Sequence, residues 1–150
     1  MNGEKTRKAY LAAAAAAGGI IAAVFFYAGV VEVLRKLGHK PPLTPPAAYA
    51  LKYALYLAGA ASLAALKQVN RLQQAKKSTL EETLKALTLA AVVRAAVCEV
   101  PAVCGLVLFL LTGYYADFYL LAAFSAALGV YNFPRLSAWE TRLREDFGQL

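Results

Sequence analysis

Residues 87–111 read LTLAAVVRAAVCEVPAVCGLVLFLL, an apolar run with only two charged side chains, Arg94 and Glu99. A run of this length can cross the hydrocarbon core of a bilayer as a single α-helix. The whole chain follows the same pattern, because its 150 residues are 60% hydrophobic and 17% charged and most charges lie between apolar blocks. The sequence therefore predicts a single-domain polytopic membrane protein rather than a water-soluble one.

The residues between the apolar blocks predict where each helix begins and ends. Prolines in the stretch 41–46 separate the first two blocks, and the basic stretch 67–77 separates the second from the third. Ser78 and Thr79 precede Glu81 and Glu82 with the spacing of a capping box, and Asp117 and Ser137 are candidate caps for later helices. The predicted fold is all-α, an integral membrane four-helix bundle with a short C-terminal amphipathic helix. Its membrane helices are expected at about 9–34, 47–66, 80–111 and 118–132, and its surface helix at about 137–147.

The tail contains an apolar stripe. Trp139, Leu143 and Phe147 recur at intervals of four residues, so they share one helix face. This pattern favours a helix that lies on the membrane surface, and a disordered tail is the alternative.

Lys and Arg residues predict the orientation. The N-terminus, the middle loop with the start of the third helix, and the tail together hold eleven of them, whereas the first loop with Lys52 and the last turn hold four. The positive-inside rule then puts both termini in the cytoplasm, and we expect a multi-pass protein of a bacterial inner membrane. These basic residues flank membrane segments, so the expected partner is the lipid bilayer and not nucleic acid.

Glu99 is the candidate functional residue. It lies about 18 Å beyond the expected start of the membrane segment at Leu87, near the bilayer centre. A charge at that depth costs at least ~2.5 kcal/mol, so such a carboxylate is usually protonated, paired or part of an ion path. Arg94 is about 140° away around the same helix and cannot meet it. Pro101 removes a backbone donor beside it. A purely structural role for Arg94 and Glu99, as polar groups that hold helices together, is the alternative.

Small residues form a seam along the third helix, which lets another backbone approach closely. The second helix has a row of alanines with similar spacing, so these two helices are expected to pack through the two rows as a hairpin. The seam consists of Ala91, Ala95, Cys98, Ala102 and Gly105, and the row of Ala50, Ala54, Ala58, Ala61 and Ala65.

The sequence offers no positive case for an enzyme. Cys98 and Cys104 are spaced neither as a redox pair nor as metal ligands, and His39 is the only histidine. No nucleophile–base set and no Gly-rich phosphate loop occur, so neither a cofactor nor a metal site is expected.

Residues 98–110, CEVPAVCGLVLFL, resemble the second helix of the rotor c subunit of rotary ATP synthases, and the resemblance extends over about residues 45–112. That family places an ion-carrying carboxylate in an apolar helix and joins its two helices through a polar cytoplasmic loop with Arg and Gln. The resemblance implies that Glu99 is the ion-binding carboxylate and that Arg71, Gln73 and Gln74 belong to the loop. The alanine row, Arg94, the longer loop and the two additional helices depart from the family pattern.

Two functions are compatible with the sequence. In the first, Glu99 binds a proton or cation reversibly, with Arg94, Pro101 and Gly105 in supporting positions. In the second, the chain is a non-catalytic structural or assembly subunit of a larger membrane complex, or a homo-oligomer. Its docking surfaces would then be the small-residue seams and the basic cytoplasmic residues, which are Arg71, Gln73, Gln74, Lys76 and Lys77.

Overall fold

The computed structural model describes residues 2–73 and 79–148, and within these ranges it is all-α and has no strand. The predicted helical class is therefore confirmed. Five helices follow one another along the chain: α1 (Asn2–Lys36), α2 (Pro45–Gln73), α3 (Leu80–Thr112), α4 (Tyr115–Tyr131) and α5 (Leu136–Phe147). The first two helices extend well beyond the predicted apolar blocks, because the polar stretches 4–8 and 67–73 contain no proline or glycine that would end a helix.

The ends of α3 follow from local sequence. Thr79 is the N-cap, and its hydroxyl accepts a hydrogen bond from the Glu82 backbone at 3.3 Å, as the capping spacing predicts. Gly113 ends the helix with a positive φ of 75°, a conformation that favours glycine, and its N–H donates to the Phe109 carbonyl at 2.7 Å. The other two candidate caps are wrong: Tyr114 and Arg135 occupy the N-cap positions of α4 and α5.

The loop between α1 and α2 covers the C-terminal end of α3. His39 Nε2 lies 2.8 Å from the Leu110 carbonyl, and the Leu43 N–H donates to the Leu111 carbonyl at 3.2 Å. Helix-end carbonyls have no partner within their own helix, so the loop satisfies groups that apolar surroundings would otherwise leave unpaired. His39 therefore has a structural contact in this position.

The third helix lies at the centre of the bundle and packs against α1, α2 and α4. One buried cluster joins Val31, Ala102, Phe109 and Phe118 near the C-terminal end of α3. A second joins Ala13, Leu84 and Ala91 near its N-terminal end, together with Trp139 and Leu143 of α5. Because α3 is surrounded on most sides, it positions the side chains of the candidate site.

Three helices, α1, α2 and α3, are long and apolar enough to cross a membrane. The 17 residues of α4 span only about 26 Å, which is less than the ~30 Å hydrocarbon core. Together α4 and α5 meet the same requirement, but they are bent by 45° at their junction. The chain is thus a multi-pass membrane protein with three candidate spans, or four if the bent pair is one span.

The tail forms a helix where one is predicted, but its apolar stripe does not face lipid. Leu143 is fully buried and Trp139 is 6% exposed, and both pack against α1 and α3. Tyr10 contacts the Trp139 ring edge-on and donates a hydrogen bond to the Pro134 carbonyl. The apolar stripe that was expected to face lipid therefore packs on protein, because α1 and α3 extend past the end of α4 and offer a surface for it.

Candidate functional site

The contact between α2 and α3 sets the heights of the charged side chains. A Cβ added at Gly59 would lie 3.6 Å from Pro101 Cα, so these two residues are at the same level. Along α2, Lys52 is seven residues before Gly59 and Lys67 is eight residues after it. At 1.5 Å per residue the two lysines bound an apolar layer about 22 Å thick. The exposed Lys67 can extend beyond this layer to the headgroups, as long lysine side chains do.

Glu99 lies near the middle of this layer, about 3 Å below the level of Pro101. Its side chain is partly buried and turned toward α1, where the Tyr27 hydroxyl donates a hydrogen bond to Glu99 Oε1. The partners are 72 residues apart in the chain. Within the part of the chain that the structure describes, this is the only hydrogen bond to the carboxylate, and no cation forms an ion pair with it.

A small crevice, without room for a water molecule, borders the carboxylate between α1, α3 and α4. Apart from Glu99 its lining is apolar or weakly polar, and it comprises Ile20, Ile21, Val24, Ala95, Cys98 and Ser125. The Ser125 hydroxyl donates to the Cys98 carbonyl at 2.6 Å, so its proton is already engaged. The crevice is too narrow for a hydrated ion, and the described residues include no cluster of three His, Cys, Asp or Glu that could hold a metal. This arrangement suits the exchange of a proton better than the coordination of a metal cation.

Arg94 and Glu99 do not come together. Arg94 is seven residues before Pro101, so the two side chains lie within about 20° of each other around α3. Pro101 lies on the face of α3 that is next to α2 and α4. Glu99, by contrast, faces α1. Arg94 is half-buried, and its Nε is buried without a hydrogen-bond partner among the described residues. It lies about 10 Å below the Pro101 level and thus at nearly the height of Lys67.

The small residues of α3 are buried, but they face other helices than the sequence suggests. Ala91 belongs to the same buried cluster as Ala13 of α1, and Ala102 belongs to the same buried cluster as Val24 and Val31 of α1. Ala95 and Cys98 are also buried. The alanine row of α2 is exposed along its length, so the expected contact between the two rows is wrong. Instead α2 contacts α3 through another face, on which Gly59, Ser62 and Leu66 are buried.

Gly105 lies at a close approach between α3 and α4. A Cβ added there would lie 3.1 Å from Leu121 Cβ and 3.2 Å from both Cα and O of Phe118. Two of these three atoms belong to the backbone of α4, which cannot rotate away. The glycine therefore sets the distance between the two helices and, through it, the position of Ser125 next to the crevice.

A second group of polar side chains lies at the Lys52 boundary of the apolar layer, on the opposite side from Arg94 and Lys67. The sequence did not predict this group. Lys52 Nζ is 2.9 Å from Asp117 Oδ1, and the Tyr56 hydroxyl donates to the same oxygen at 2.7 Å. Lys52 also lies 5.7 Å from the ring centroid of Tyr114. Lys52 is thus paired within the bundle and not directed to the headgroups as its position near a helix end suggests. Lys52 and Asp117 have opposite charges and each lies near the start of an apolar block. The sequence, however, does not show that α2 and α4 are neighbours at this end.

Glu32 forms a comparable contact on α1. It pairs with Arg35 at 3.2 Å, as the three-residue spacing predicts, and it accepts a hydrogen bond from the Tyr119 hydroxyl of α4 at 2.5 Å. Glu32 and Asp117 therefore each have a cationic partner, whereas Glu99 has only a phenol.

The predicted docking residues lie at the C-terminal end of α2 and beyond it. Arg71 is exposed in the last turn, and the backbone of Gln73 ends the helix. Gln74, Lys76 and Lys77 are outside the described residues.

Comparison with known proteins adds no relative. No family model matches the chain, and neither a characterised protein nor a solved structure matches it. These comparisons therefore neither support nor contradict the resemblance to rotor c subunits.

Proposed function

We propose that this chain is a four-span membrane protein in which Glu99 binds and releases a proton. The observation that supports this most is the hydrogen-bond partner of Glu99. The carboxylate lies near the middle of the apolar layer and accepts a hydrogen bond from the neutral Tyr27, and no cation among the described residues pairs with it. A charge at this depth in a bilayer is costly, and no described residue forms an ion pair with Glu99 that would offset the cost. Asp117 and Glu32 have that compensation from Lys52 and Arg35.

The hydrogen bond to Tyr27 fits both protonation states of Glu99. When the acid is ionised, the phenol donates to a carboxylate oxygen, as in the structure. When Glu99 takes up a proton on its other oxygen, Oε1 becomes the carbonyl oxygen and still accepts from the phenol. Proton uptake therefore requires no rearrangement of α1 against α3, and the net change is one proton added to one carboxylate.

Labelling with dicyclohexylcarbodiimide tests this proposal, because the reagent partitions into lipid and reacts with protonated carboxyl groups. The purified protein in lipid nanodiscs is expected to be labelled at Glu99. Glu99→Gln keeps an oxygen that can accept from Tyr27 and should abolish the labelling. Glu32→Gln is the matched control, because Glu32 also bonds a tyrosine but has Arg35 beside it. A folded wild-type protein that is not labelled at any pH would contradict the proposal.

A second function has support from the exposed face of α2. Five alanines, Ala50, Ala54, Ala58, Ala61 and Ala65, leave that face flat and uncovered, and such faces allow close contact between membrane helices. In this alternative the chain is a non-catalytic subunit of a larger complex. Native mass spectrometry after mild detergent extraction distinguishes the two functions. A single copy bound to other proteins, lost in Ala58→Phe but kept in Glu99→Gln, favours the subunit function.

The proposed orientation puts both termini in the cytoplasm. With four spans, the N-terminus, the stretch after α2 and the tail lie on one side, and most Lys and Arg residues belong to that side. Single cysteines in a Cys98→Ala/Cys104→Ala background test this orientation. Lys40→Cys should react with an impermeant maleimide on intact cells, and Lys85→Cys only after permeabilisation. The reverse pattern would contradict it.

A further inference from the structure

Arg94 is a charged side chain without a partner in the described chain. Its Nε is buried and lacks an acceptor, and no carboxylate within the described residues forms an ion pair with it. A guanidinium has five N–H donors, and a donor that is buried without an acceptor is costly. The half-buried Arg94 is therefore available to an acceptor that comes from outside the described chain.

Lys67 of α2 lies at nearly the same height as Arg94. The preceding residue, Leu66, is buried at 5% exposure, whereas Lys67 is exposed, so Lys67 borders the contact between α2 and α3. Both cations are at the same boundary of the apolar layer, about 10–12 Å below the level of Pro101. Lys67 likewise has no ion pair in the described part of the chain.

We propose that Arg94 and Lys67 bind the phosphate of an anionic phospholipid, in the leaflet at the end of the bundle where α1 begins. A guanidinium donates two parallel hydrogen bonds to phosphate oxygens, and an ammonium adds a mobile point charge. The acyl chains would lie along the exposed apolar side chains next to the two cations, Leu63 of α2 and Val93 of α3, which are 49% and 36% exposed. This site is separate from Glu99 and does not depend on its protonation.

Charge complementarity favours a lipid over a carboxylate on a partner helix. This end of the bundle has a large excess of cations, while three of its other cations are already paired: Lys8 with Glu4, Lys85 with Glu81 and Arg142 with Asp146. A basic surface at a membrane boundary attracts anionic headgroups, at about 1 kcal/mol per Lys or Arg. The cations of the described residues on this side are Lys5, Arg7, Lys8, Lys67, Arg71, Lys85, Arg94, Arg135, Arg142 and Arg144.

The test measures which lipid stays bound to the intact protein. The full chain is released from nanodiscs that contain equal amounts of phosphatidylglycerol and phosphatidylcholine with identical acyl chains, and bound lipid is identified by native mass spectrometry. Wild type should retain phosphatidylglycerol preferentially. Arg94→Gln should lower the ratio of the two bound lipids about fivefold, and Lys67→Gln by a similar factor. Arg94→Lys keeps the charge and should retain most of the preference.

Lys85→Gln is the matched control, because Lys85 is on the same side but already paired with Glu81, and it should change the ratio less than twofold. If Arg94→Gln does not fold, Lys67→Gln provides the same test from a fully exposed position. Equal effects of Lys67→Gln and Lys85→Gln would overturn the proposal, since they indicate general attraction to a basic surface. An unchanged lipid ratio in Arg94→Gln together with the loss of a bound protein would also overturn it, in favour of a partner carboxylate. If inorganic phosphate at constant ionic strength displaces the lipid completely, the site recognises free phosphate and the lipid proposal fails.

Discussion

Replacing Gly105 with alanine tests whether the close approach of α3 and α4 determines the stability of the bundle. The added methyl would lie 3.1 Å from Leu121 Cβ and 3.2 Å from the Phe118 backbone, closer than ordinary van der Waals contact. The helices must separate by a few tenths of an ångström, since a backbone cannot rotate out of the way. Overpacking of this kind costs about 1–3 kcal/mol.

Gly29→Ala is the matched control, because Gly29 is also inside a helix but a Cβ there would meet nothing within 4 Å. Both variants gain about 1 kcal/mol from the better helix propensity of alanine. This gain cancels in the comparison, so Gly105→Ala should be less stable than Gly29→Ala by about 2 kcal/mol, or roughly thirtyfold in the unfolding equilibrium.

The measurement is an unfolding titration with dodecyl sulfate in mixed micelles, followed by circular dichroism and by tryptophan fluorescence. Trp139 is the only tryptophan and is 6% exposed in the folded chain, so its emission reports the loss of packing. If Gly105→Ala is as stable as Gly29→Ala, then α3 and α4 do not pack at this distance and the position of Ser125 beside the crevice is also in doubt.

Three further variants test the packing elsewhere in the bundle. Leu143→Ala should lower the unfolding free energy by about 2–4 kcal/mol in the same titration, because its side chain is fully buried; a loss below about 0.5 kcal/mol would indicate a tail on the membrane surface. Asp117→Asn removes the partner of Lys52, and because that lysine is 30% exposed the expected loss is about 1 kcal/mol. A double-mutant cycle with Lys52→Met should then show coupling between the two sites, and additive effects would contradict the ion pair. Gly129→Ala would bring a Cβ to 2.9 Å from Ile21 Cγ1, and because a β-branched side chain in a helix has one strongly preferred rotamer, its loss should be at least as large as that of Gly105→Ala.

Much of the helical architecture could be predicted from the sequence, because in lipid each backbone polar group must find its partner within the same segment. Apolar length therefore specifies a helix locally, and the caps of α3 follow from Thr79 and Gly113. The prediction failed for the tail, where the stripe of Trp139 and Leu143 was real but its partner was protein and not lipid. An apolar stripe that packs on protein has the same composition as one that faces lipid, so the sequence does not distinguish the two.

The sequence by itself determined that the chain is helical, that it is a membrane protein, and that Glu99 and Arg94 are on different faces of α3. Only the tertiary structure decided which helix each face meets: Glu99 meets Tyr27 across 72 residues, and Lys52 meets Asp117 across 65. The physical reason is that a helix in lipid is apolar on all sides, so hydrophobic periodicity does not indicate an inward face. Close packing of small residues and a few polar pairs set the neighbours instead, and both depend on contacts between segments that are distant in the chain.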